Sequence, residues 1–198
     1  MVQTSFDIAR KAMIDSQIRP NKVIDERVVA AFAKTPREEF VPKSLRDVAY
    51  VDEDLALAGG RYLVEAMVMG RMLQALEIAP EHNVLLIGAG TGYTAALLSQ
   101  LCASVIAIDN RTSGVEKTQE LLGQMEIGNV VVLKGKLTEG YAPEGPYDAI
   151  VIECGDEKMT EALLSQLKAQ VKCASIWREN AMAQGEASRG SIASCQFL

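Results

Sequence analysis

Three closely spaced glycines are the clearest chemical feature of the chain. They lie in a loop between an apolar run and a predicted helix, and this loop consists of Gly88, Ala89, Gly90, Thr91 and Gly92. Glycine allows a tight turn and lets backbone N–H groups approach a ligand without an intervening Cβ. A dinucleotide site usually has the spacing G-x-G-x-x-G, but Tyr93 stands where its last glycine belongs. The spacing therefore disfavours a nicotinamide cofactor and leaves another nucleoside cofactor or a purely structural turn.

An acidic residue ends the next predicted strand, about 20 residues beyond the glycine loop. It is Asp109, the last residue of the apolar run 104–109. A carboxylate at this point accepts hydrogen bonds from a ribose diol in sheets of this kind, although a solvated strand end would also suit it. Ligands bind beyond the carboxyl ends of parallel strands, so the same rim carries four more candidates: Asn110, Lys136, Leu137 and Glu153. Together these residues predict a site for a cofactor that carries a nucleoside.

The second half of the chain must position these residues, and it alternates short apolar runs with helical patterns. The predicted strands are 83–87, 104–109, 129–133, 147–153 and 171–177, and the predicted helices are 94–101, 116–125 and 159–168. Runs that are apolar on both faces are typical of a parallel sheet covered by helices on both sides. The pattern therefore predicts an α/β fold with a Rossmann-like, doubly wound, mostly parallel sheet. A further edge strand is predicted at 191–197 in the polar tail.

The first half of the chain has a different pattern. Helices are predicted at 5–18, at 25–35 with Asp25 as N-cap, and at 62–76, whereas 36–60 predicts loops and one short extended piece. We expect one domain over residues 1–198. Within it, residues 1–80 form an N-terminal helical extension that includes a loop over the site, and residues 81–198 form the Rossmann-like core.

The composition excludes several classes of partner. The chain has 198 residues, a formal charge of −6 and a pI near 5.0, which argues against a nucleic-acid partner because such proteins carry a basic face. No apolar run approaches the ~20 residues that span a bilayer, so no membrane partner is expected. The N-terminus lacks the apolar segment of a signal peptide. We therefore expect a cytoplasmic protein, whose oligomeric state the sequence does not determine.

The chain is poor in metal ligands. Its only histidine is His82, and its four cysteines are scattered without a C-x-x-C pair: Cys102, Cys154, Cys173 and Cys195. Zinc sites need closely spaced ligands, so no metal site is expected. The cysteines are interpreted as reduced, mostly buried thiols.

Four stretches of the chain resemble protein-L-isoaspartate O-methyltransferases. They are Pro36-Arg37-Glu38-Glu39-Phe40-Val41-Pro42, Ala49-Tyr50-Val51-Asp52 with Leu55, the segment Val84 to Tyr93, and Tyr147-Asp148-Ala149-Ile150. Order and spacing match from about residue 8 to about residue 168. The first two stretches are quite specific to that family, whereas the glycine loop is common to most class I methyltransferases.

The resemblance implies a seven-stranded Rossmann-like sheet with S-adenosyl-L-methionine as methyl donor. It implies that the glycine loop lies along the amino-acid part of this cofactor and that Asp109 holds its ribose. Family members methylate the side-chain carboxylate of isoaspartyl residues in damaged proteins, which begins their repair. The implied partner is therefore a protein or peptide that carries isoaspartate.

The segment that forms the acceptor pocket in the family departs from the family pattern. Relatives have G-Q-T-I-S-Q-P there, whereas this chain has G-R-Y-L-V-E-A, and we take four of its residues as candidate substrate-binding residues: Arg61, Tyr62, Val64 and Glu65. Val64 replaces a serine and can neither donate nor accept a hydrogen bond. Glu65 replaces a glutamine and would repel a carboxylate substrate. Arg61 is expected to compensate by gripping that carboxylate, or else to be an ordinary solvated arginine.

The cofactor pocket departs as well. Leu86 stands where the family usually has an acid before the glycine loop, and Lys136-Leu137 replace an aspartate-containing G-D-G that reaches the adenine. Lys136 has only donors, so it cannot accept from an adenine amine, whereas the backbone N–H of Leu137 can still serve. The C-terminal region is also shorter than the usual family ending.

Methyl transfer to a carboxylate needs no general base, because the acceptor is already an anion at neutral pH. No catalytic residue is therefore certain. A hydroxyl or amine acceptor would need a general base, and the candidates are Glu65, Asp52 and Tyr62. His82 is not a candidate, because it precedes the first strand and so lies at the edge of the sheet opposite the predicted site. Three functions are compared. They are a carboxyl methyltransferase, a catalytically impaired relative that acts as a cofactor-binding or interaction module, and a nucleotide-dependent oxidoreductase, which the glycine spacing argues against.

Overall fold

The computed structural model describes residues 4–153, 160–177 and 191–197, and it describes 169–177 and 191–197 as backbone strands only. Its main sheet has six strands, in the order β5-β4-β3-β6-β7-β8. They are β3 Asn83–Ile87, β4 Ser104–Asp109, β5 Val130–Lys134, β6 Tyr147–Ile152, β7 Leu167–Trp177 and β8 Ser191–Phe197. The first five are parallel, and β8 runs antiparallel to β7 at the edge. This confirms the α/β, Rossmann-like, mostly parallel sheet, with six strands in the described residues where the resemblance implies seven.

The strand order reverses beside β3. The chain steps from β3 outward to β4 and β5, and then returns to place β6 on the other side of β3. In open α/β sheets the ligand crevice forms at such a reversal, beyond the carboxyl ends of the strands. The crevice of this protein is therefore expected where Ile87 and Ile152 end β3 and β6.

The helices follow the predicted order. They are α1 Ser5–Met13, α2 Glu26–Lys34, α3 Ala66–Ala75, α4 Tyr93–Leu98, α5 Thr112–Gln124 and α6 Glu161–Leu164. Asp25 caps α2 by accepting from the N–H of Arg27, as predicted. The predicted first helix continues past α1 as a π-helical turn at Ile14–Ile18. No described helix is long and apolar enough to cross a membrane.

Two predicted helices are wrong at one end. The helix predicted at 62–76 begins only at Ala66, because Tyr62–Leu63 form strand β2, which pairs antiparallel with β1, Leu55–Ala56. The helix predicted at 159–168 ends at Leu164, because Leu167 already begins β7 and pairs with Tyr147. In both cases strand pairing overrides a local apolar pattern, within a short hairpin for β2 and with a strand about 20 residues away for β7.

Apolar side chains fill both faces of the sheet. The larger core lies on one face and joins α1, α2, α3 and α4 to Leu86 and Val151. The smaller core lies on the opposite face and contains Ile87, Ile152 and Leu163 of α6. The N-terminal helices thus pack directly on the sheet, on the face that leads to the crevice.

The two family-specific stretches hold each other together. Arg37 is fully buried and donates to the carbonyls of Ala49 (2.7 Å) and Val64 (2.8 Å). Glu38 accepts from Arg10 of α1 at 3.1 Å and from the hydroxyl of Tyr50. These bonds fix the segment between α2 and α3, which includes 3₁₀ turns at Arg37–Phe40 and Lys43–Val48.

Candidate functional site

The glycine loop uses its own N–H groups inside the protein. Gly88 and Ala89 donate to the carbonyl of Ile108 at 2.8 and 3.1 Å, Gly92 donates to the carbonyl of Ala89, and Gly90 donates to Asp109 Oδ2 at 3.1 Å. These four N–H groups are thus engaged with the chain itself, contrary to the expectation that they face a ligand. The loop instead links the ends of β3 and β4 and orients the Asp109 carboxylate.

The three glycines adopt backbone conformations that other residues avoid. Their φ angles are +85° at Gly88, +57° at Gly90 and +89° at Gly92. A Cβ on Gly92 would lie 2.6 Å from Cγ2 of Thr118 on α5, whereas a Cβ on Gly90 would meet only the Gly88 carbonyl at 3.5 Å. Gly92 is therefore required for packing, while Gly90 leaves open space on the crevice side of the loop.

Asp109 is buried and fully engaged. Its Oδ2 accepts from Gly90 N–H, and its Oδ1 accepts from the N–H of Arg111 at 2.9 Å. The two carboxylate oxygens also accept from the Arg61 guanidinium, at 2.5 Å from Nη1 and 3.0 Å from Nη2. The acid predicted to hold a ribose therefore stands at the predicted place, with an arginine across both of its oxygens.

Arg61 lies against the Asp109 carboxylate. Besides Asp109 it donates to Oδ1 of Asn110 at 2.9 Å, and its side chain is 24% exposed. The neighbouring loop is held in the same way, because Arg111 donates from Nη2 to the carbonyl of Gly59 at 2.8 Å. The segment before β2 is thus fastened to the end of β4 by two arginines.

The other candidate substrate residues occupy different environments. Tyr62 is 42% exposed on β2, and Val64 is buried in the larger core, where only its carbonyl acts, as the acceptor for Arg37. Glu65 precedes α3, and its N–H donates to Asp54 Oδ1 at 2.8 Å. Val64 therefore contributes shape to this segment, and polar contacts on the rim come from Arg61.

Of the two candidates that follow β5, one lies on the surface and the other in the core. Lys136 is paired with Glu139 at 2.7 Å on the surface, and its pKa is raised by that hydrogen bond. Leu137 is buried in the smaller core. An adenine ring at this rim would therefore lie near Lys136, whose ammonium group is already paired with Glu139, and near the apolar side chain of Leu137.

Glu153 directly follows β6, beside the glycine loop. Its backbone N–H donates to the carbonyl of Ile87, the residue before Gly88, at 2.9 Å. The residue is partly exposed as a whole, yet its Oε2 is buried, and no described residue donates to it. Burial raises the pKa of this carboxyl to about 7, although the Thr94 hydroxyl and the charges of Arg37 and Arg61 lower it. The crevice therefore contains a second acid, one of whose carboxyl oxygens has no donor among the described residues.

Sequence reasoning gave no site role to three residues at this rim. Arg37 lies with its Cζ 4.9 Å from the centre of the Tyr93 ring, and both Arg37 Nη1 and the Tyr93 hydroxyl are buried without a described partner. Arg111 supplies a backbone donor to Asp109 and anchors Gly59. Arg37 belongs to the family-specific stretch at 36–42, but no local signal showed which carbonyls it binds.

Comparison with known proteins identifies the family. The family model for protein-L-isoaspartate(D-aspartate) O-methyltransferase matches residues 8–172. This chain belongs to that family. It is an enzyme of the methyltransferase class, and its methyl donor is S-adenosyl-L-methionine.

Curated relatives and solved structures agree with the family assignment. The chain is 39% identical over 158 residues to the protein-L-isoaspartate O-methyltransferase of Methanoculleus marisnigri, covering 80% of this chain and 72% of that protein. It is 37% identical over 164 residues to protein-L-isoaspartate O-methyltransferase 1 of Rhodopseudomonas palustris strain HaA2, covering 83% of this chain and 67% of that one.

The fold likeness extends over nearly the whole chain. A solved protein-L-isoaspartate O-methyltransferase superposes with a TM-score of 0.74 at 23% identity, over 96% of this chain and 65% of that one. A Plasmodium falciparum protein described as a putative member, solved in complex with S-adenosyl-L-homocysteine, superposes with a TM-score of 0.72 at 15% identity, over 98% and 97% of the two chains. This chain thus spans about two thirds of the first structure and nearly all of the second.

The residues at the rim fit S-adenosyl-L-methionine. Asp109 provides a buried carboxylate for a ribose diol, provided that Arg61 leaves it, and Glu153 provides a buried oxygen without a described donor. Gly90 leaves open space on the loop beside them. No group of three His, Cys, Asp or Glu side chains within the described ranges is placed to hold a metal ion.

Proposed function

We propose that this chain transfers the methyl group of S-adenosyl-L-methionine to the side-chain carboxylate of L-isoaspartyl residues in damaged proteins or peptides. The observation that carries the proposal is the position of the Asp109 carboxylate. It lies at the carboxyl end of β4, receives the N–H of Gly90, and stands at the rim where the family model matches the chain. We further propose that residues 1–198 act as one domain and that the enzyme works in the cytoplasm.

Asp109 is the proposed acceptor for the ribose hydroxyls. A carboxylate accepts two hydrogen bonds from a vicinal diol, and Asp109 now accepts two from Arg61 in the same way. When bound at this rim, the cofactor supplies an activated methyl group. Because both oxygens of Asp109 are already used, cofactor binding requires Arg61 to leave.

Arg61 is the proposed holder of the acceptor carboxylate. Once it leaves Asp109, its guanidinium keeps the fork geometry that binds a carboxylate through two parallel hydrogen bonds. It would then orient the acceptor oxygen and offset the negative charge of Glu65 nearby in the sequence. The reaction needs no proton transfer, since the acceptor oxygen is anionic, so positioning and exclusion of water supply the catalysis.

A second candidate function is a cofactor-binding or interaction module without turnover. The observation that favours it is the acceptor segment itself, in which Val64 is buried in the core and Arg61 is bound to Asp109. Such a protein would bind the cofactor and leave isoaspartyl peptides unmodified.

Incubation with radiolabelled S-adenosyl-L-methionine tests the two candidates. An isoaspartyl peptide is compared with the peptide of the same sequence that contains ordinary aspartate. The proposed function expects a base-labile methyl ester on the first peptide only. Binding of S-adenosyl-L-homocysteine without methylation would support the module, and the absence of both would exclude either function.

A further inference from the structure

We propose that Glu153 binds the α-ammonium group of the cofactor's amino-acid arm, which gives this chain an ionic contact on β6. The inference rests on the proposed function, because it assigns one contact inside the same site. The sequence places Glu153 among the rim candidates but assigns it no particular contact. Three observations carry it: an unused buried oxygen, its place in the crevice, and the charges around it.

The first observation is the unused oxygen. Glu153 Oε2 is buried, and no donor reaches it from any residue that the structure describes. A buried carboxylate oxygen without a hydrogen bond is costly, so such atoms in native structures mark a water, an ion or a ligand. The cost is avoided when a cationic donor arrives, because charge-assisted hydrogen bonds are the strong ones.

The second observation is the position of the side chain. Glu153 follows β6 at the reversal of strand order, and its N–H is bonded to the carbonyl immediately before the glycine loop. Side chains alternate along a strand, so Glu153 lies on the same face of the sheet as Val151. Leu86, the partner of Val151 on β3, lies on that face too. Strand β3 has no acidic residue of its own. Glu153 is thus the carboxyl group that the structure places beside the start of the loop.

The third observation is the set of charges that faces Glu153. The Thr94 hydroxyl on α4 hydrogen-bonds to the carboxyl. The charges of Arg37, Arg61 and Asp109, which lie between α2 and α3, before β2 and at the end of β4, also act on it. Arg37 Nη1 is also buried without a partner among the described residues. An amino-acid arm carries an ammonium beside a carboxylate, and this region offers an unused acceptor on Glu153 and an unused donor on Arg37.

A bridging water between Glu153 and Arg37 is the competing explanation. In that case Glu153 would be a structural residue whose replacement affects every ligand equally, or affects stability alone. An ammonium contact has a different consequence, because it exists only for ligands that have the amino-acid arm. It also ionises the carboxyl when the ligand arrives, since a neighbouring positive charge favours the charged form.

Calorimetric titration with two probes distinguishes these explanations. S-Adenosyl-L-homocysteine has the amino-acid arm, and 5′-methylthioadenosine lacks it. Both are titrated into the wild type, into Glu153→Gln and into the matched control Glu116→Gln, an exposed position on α5. We expect Glu153→Gln to weaken the first probe about 10- to 100-fold and the second by less than about threefold. Glu116→Gln should change neither.

The proton count is the second readout. Titration about one pH unit below the pKa of Glu153, in two buffers with different ionisation enthalpies, measures protons released on binding. We expect release by the wild type with S-adenosyl-L-homocysteine, and none with 5′-methylthioadenosine or in Glu153→Gln. Thermal unfolding of the variant, expected at no lower temperature than the wild type, shows that it is folded.

Each outcome has a defined meaning. Equal weakening of both probes, unchanged affinity for both, or binding without proton release would overturn the role of Glu153 and leave the proposed function intact. Failure of the wild type to bind either probe would overturn both.

Discussion

Arg61 and Asp109 form a two-pronged ion pair between residues 48 positions apart in the sequence. Asp109 is buried within this pair, whereas Arg61 stays partly exposed at the rim. The pair occupies both oxygens of the carboxylate that we propose as the acceptor for the ribose diol, so in this proposal the cofactor and Arg61 compete for Asp109. In this proposal, the competition links cofactor binding to the release of Arg61, the cationic residue among the four candidates for holding the acceptor.

Arg61→Ala should therefore change binding and turnover in opposite directions. S-Adenosyl-L-homocysteine should bind roughly 3- to 30-fold more tightly, because the ligand no longer has to displace the guanidinium. At the same time the kcat/KM for an isoaspartyl peptide should fall by at least about tenfold, because a charge-assisted contact to the acceptor is lost. Calorimetry and methyl-ester formation measure the two effects.

Arg61→Lys is the matched control, since it keeps the charge and loses the fork. We expect intermediate values for both quantities. A uniform loss of cofactor affinity in Arg61→Ala would show that the arginine supports the cofactor and does not compete with it.

Asp109→Asn should weaken binding of S-adenosyl-L-homocysteine by about 1–3 kcal/mol, because an amide retains only one acceptor oxygen for the diol. The same change should lower the free energy of unfolding, since the N–H groups of Gly90 and Arg111 now share one acceptor. Calorimetry and denaturant titration measure the two losses. Glu116→Gln, which removes an exposed carboxylate from α5, should alter neither; an unaltered affinity in Asp109→Asn would place the ribose elsewhere.

Alanine at two positions of the glycine loop should separate folding from binding. Gly92→Ala places a Cβ 2.6 Å from Thr118 at a φ of +89°, so we expect the free energy of unfolding to fall by roughly 2–4 kcal/mol. Gly90→Ala meets nothing closer than 3.5 Å at a φ of +57°, so its cost should be about 1 kcal/mol. Denaturant titration gives both values.

The affinity for S-adenosyl-L-homocysteine should show the reverse order. Gly90→Ala places a methyl group on the open side of the loop and should weaken binding, whereas the folded fraction of Gly92→Ala should bind nearly as the wild type does. Equal losses of stability at the two positions would mean that both glycines are required for the same reason, and would contradict this prediction.

Stability should depend on pH through Glu153. Its pKa is about 7 in the folded protein against an ordinary value of 4.5, because burial raises it. The folded state therefore holds this proton more tightly than the unfolded state, and its stabilising contribution is lost as pH rises from 4.5 to 7. Glu153→Gln carries no such proton, so above this window it should be more stable than the wild type by roughly 1–3 kcal/mol.

Denaturant titrations of both proteins across the window measure this difference. Below pH 4.5 the two should have similar free energies of unfolding, because Glu153 is then protonated in both states of the wild type. If the difference in the free energy of unfolding were constant across the whole pH range, burial of the carboxyl would not be its cause.

Local pattern determined most of the sheet and the chemistry at its centre. The strands at 83–87 and 104–109 have their predicted bounds, and the glycine loop and Asp109 follow from spacing alone. The family motifs predicted the enzyme class in the same way. These features depend on residues close in sequence, in which apolar periodicity and glycine spacing reflect the backbone directly.

Tertiary structure alone decided how the site residues are engaged. Arg61 bonds to Asp109 across 48 residues, and the N–H groups of the loop turn inward to the end of β4. Pairing of Leu167 with Tyr147 ended α6 at Leu164, and burial left Glu153 Oε2 without a described donor. None of these follows from local pattern, because a partner, a buried environment or a paired strand is supplied by distant parts of the chain that meet only when the sheet has formed.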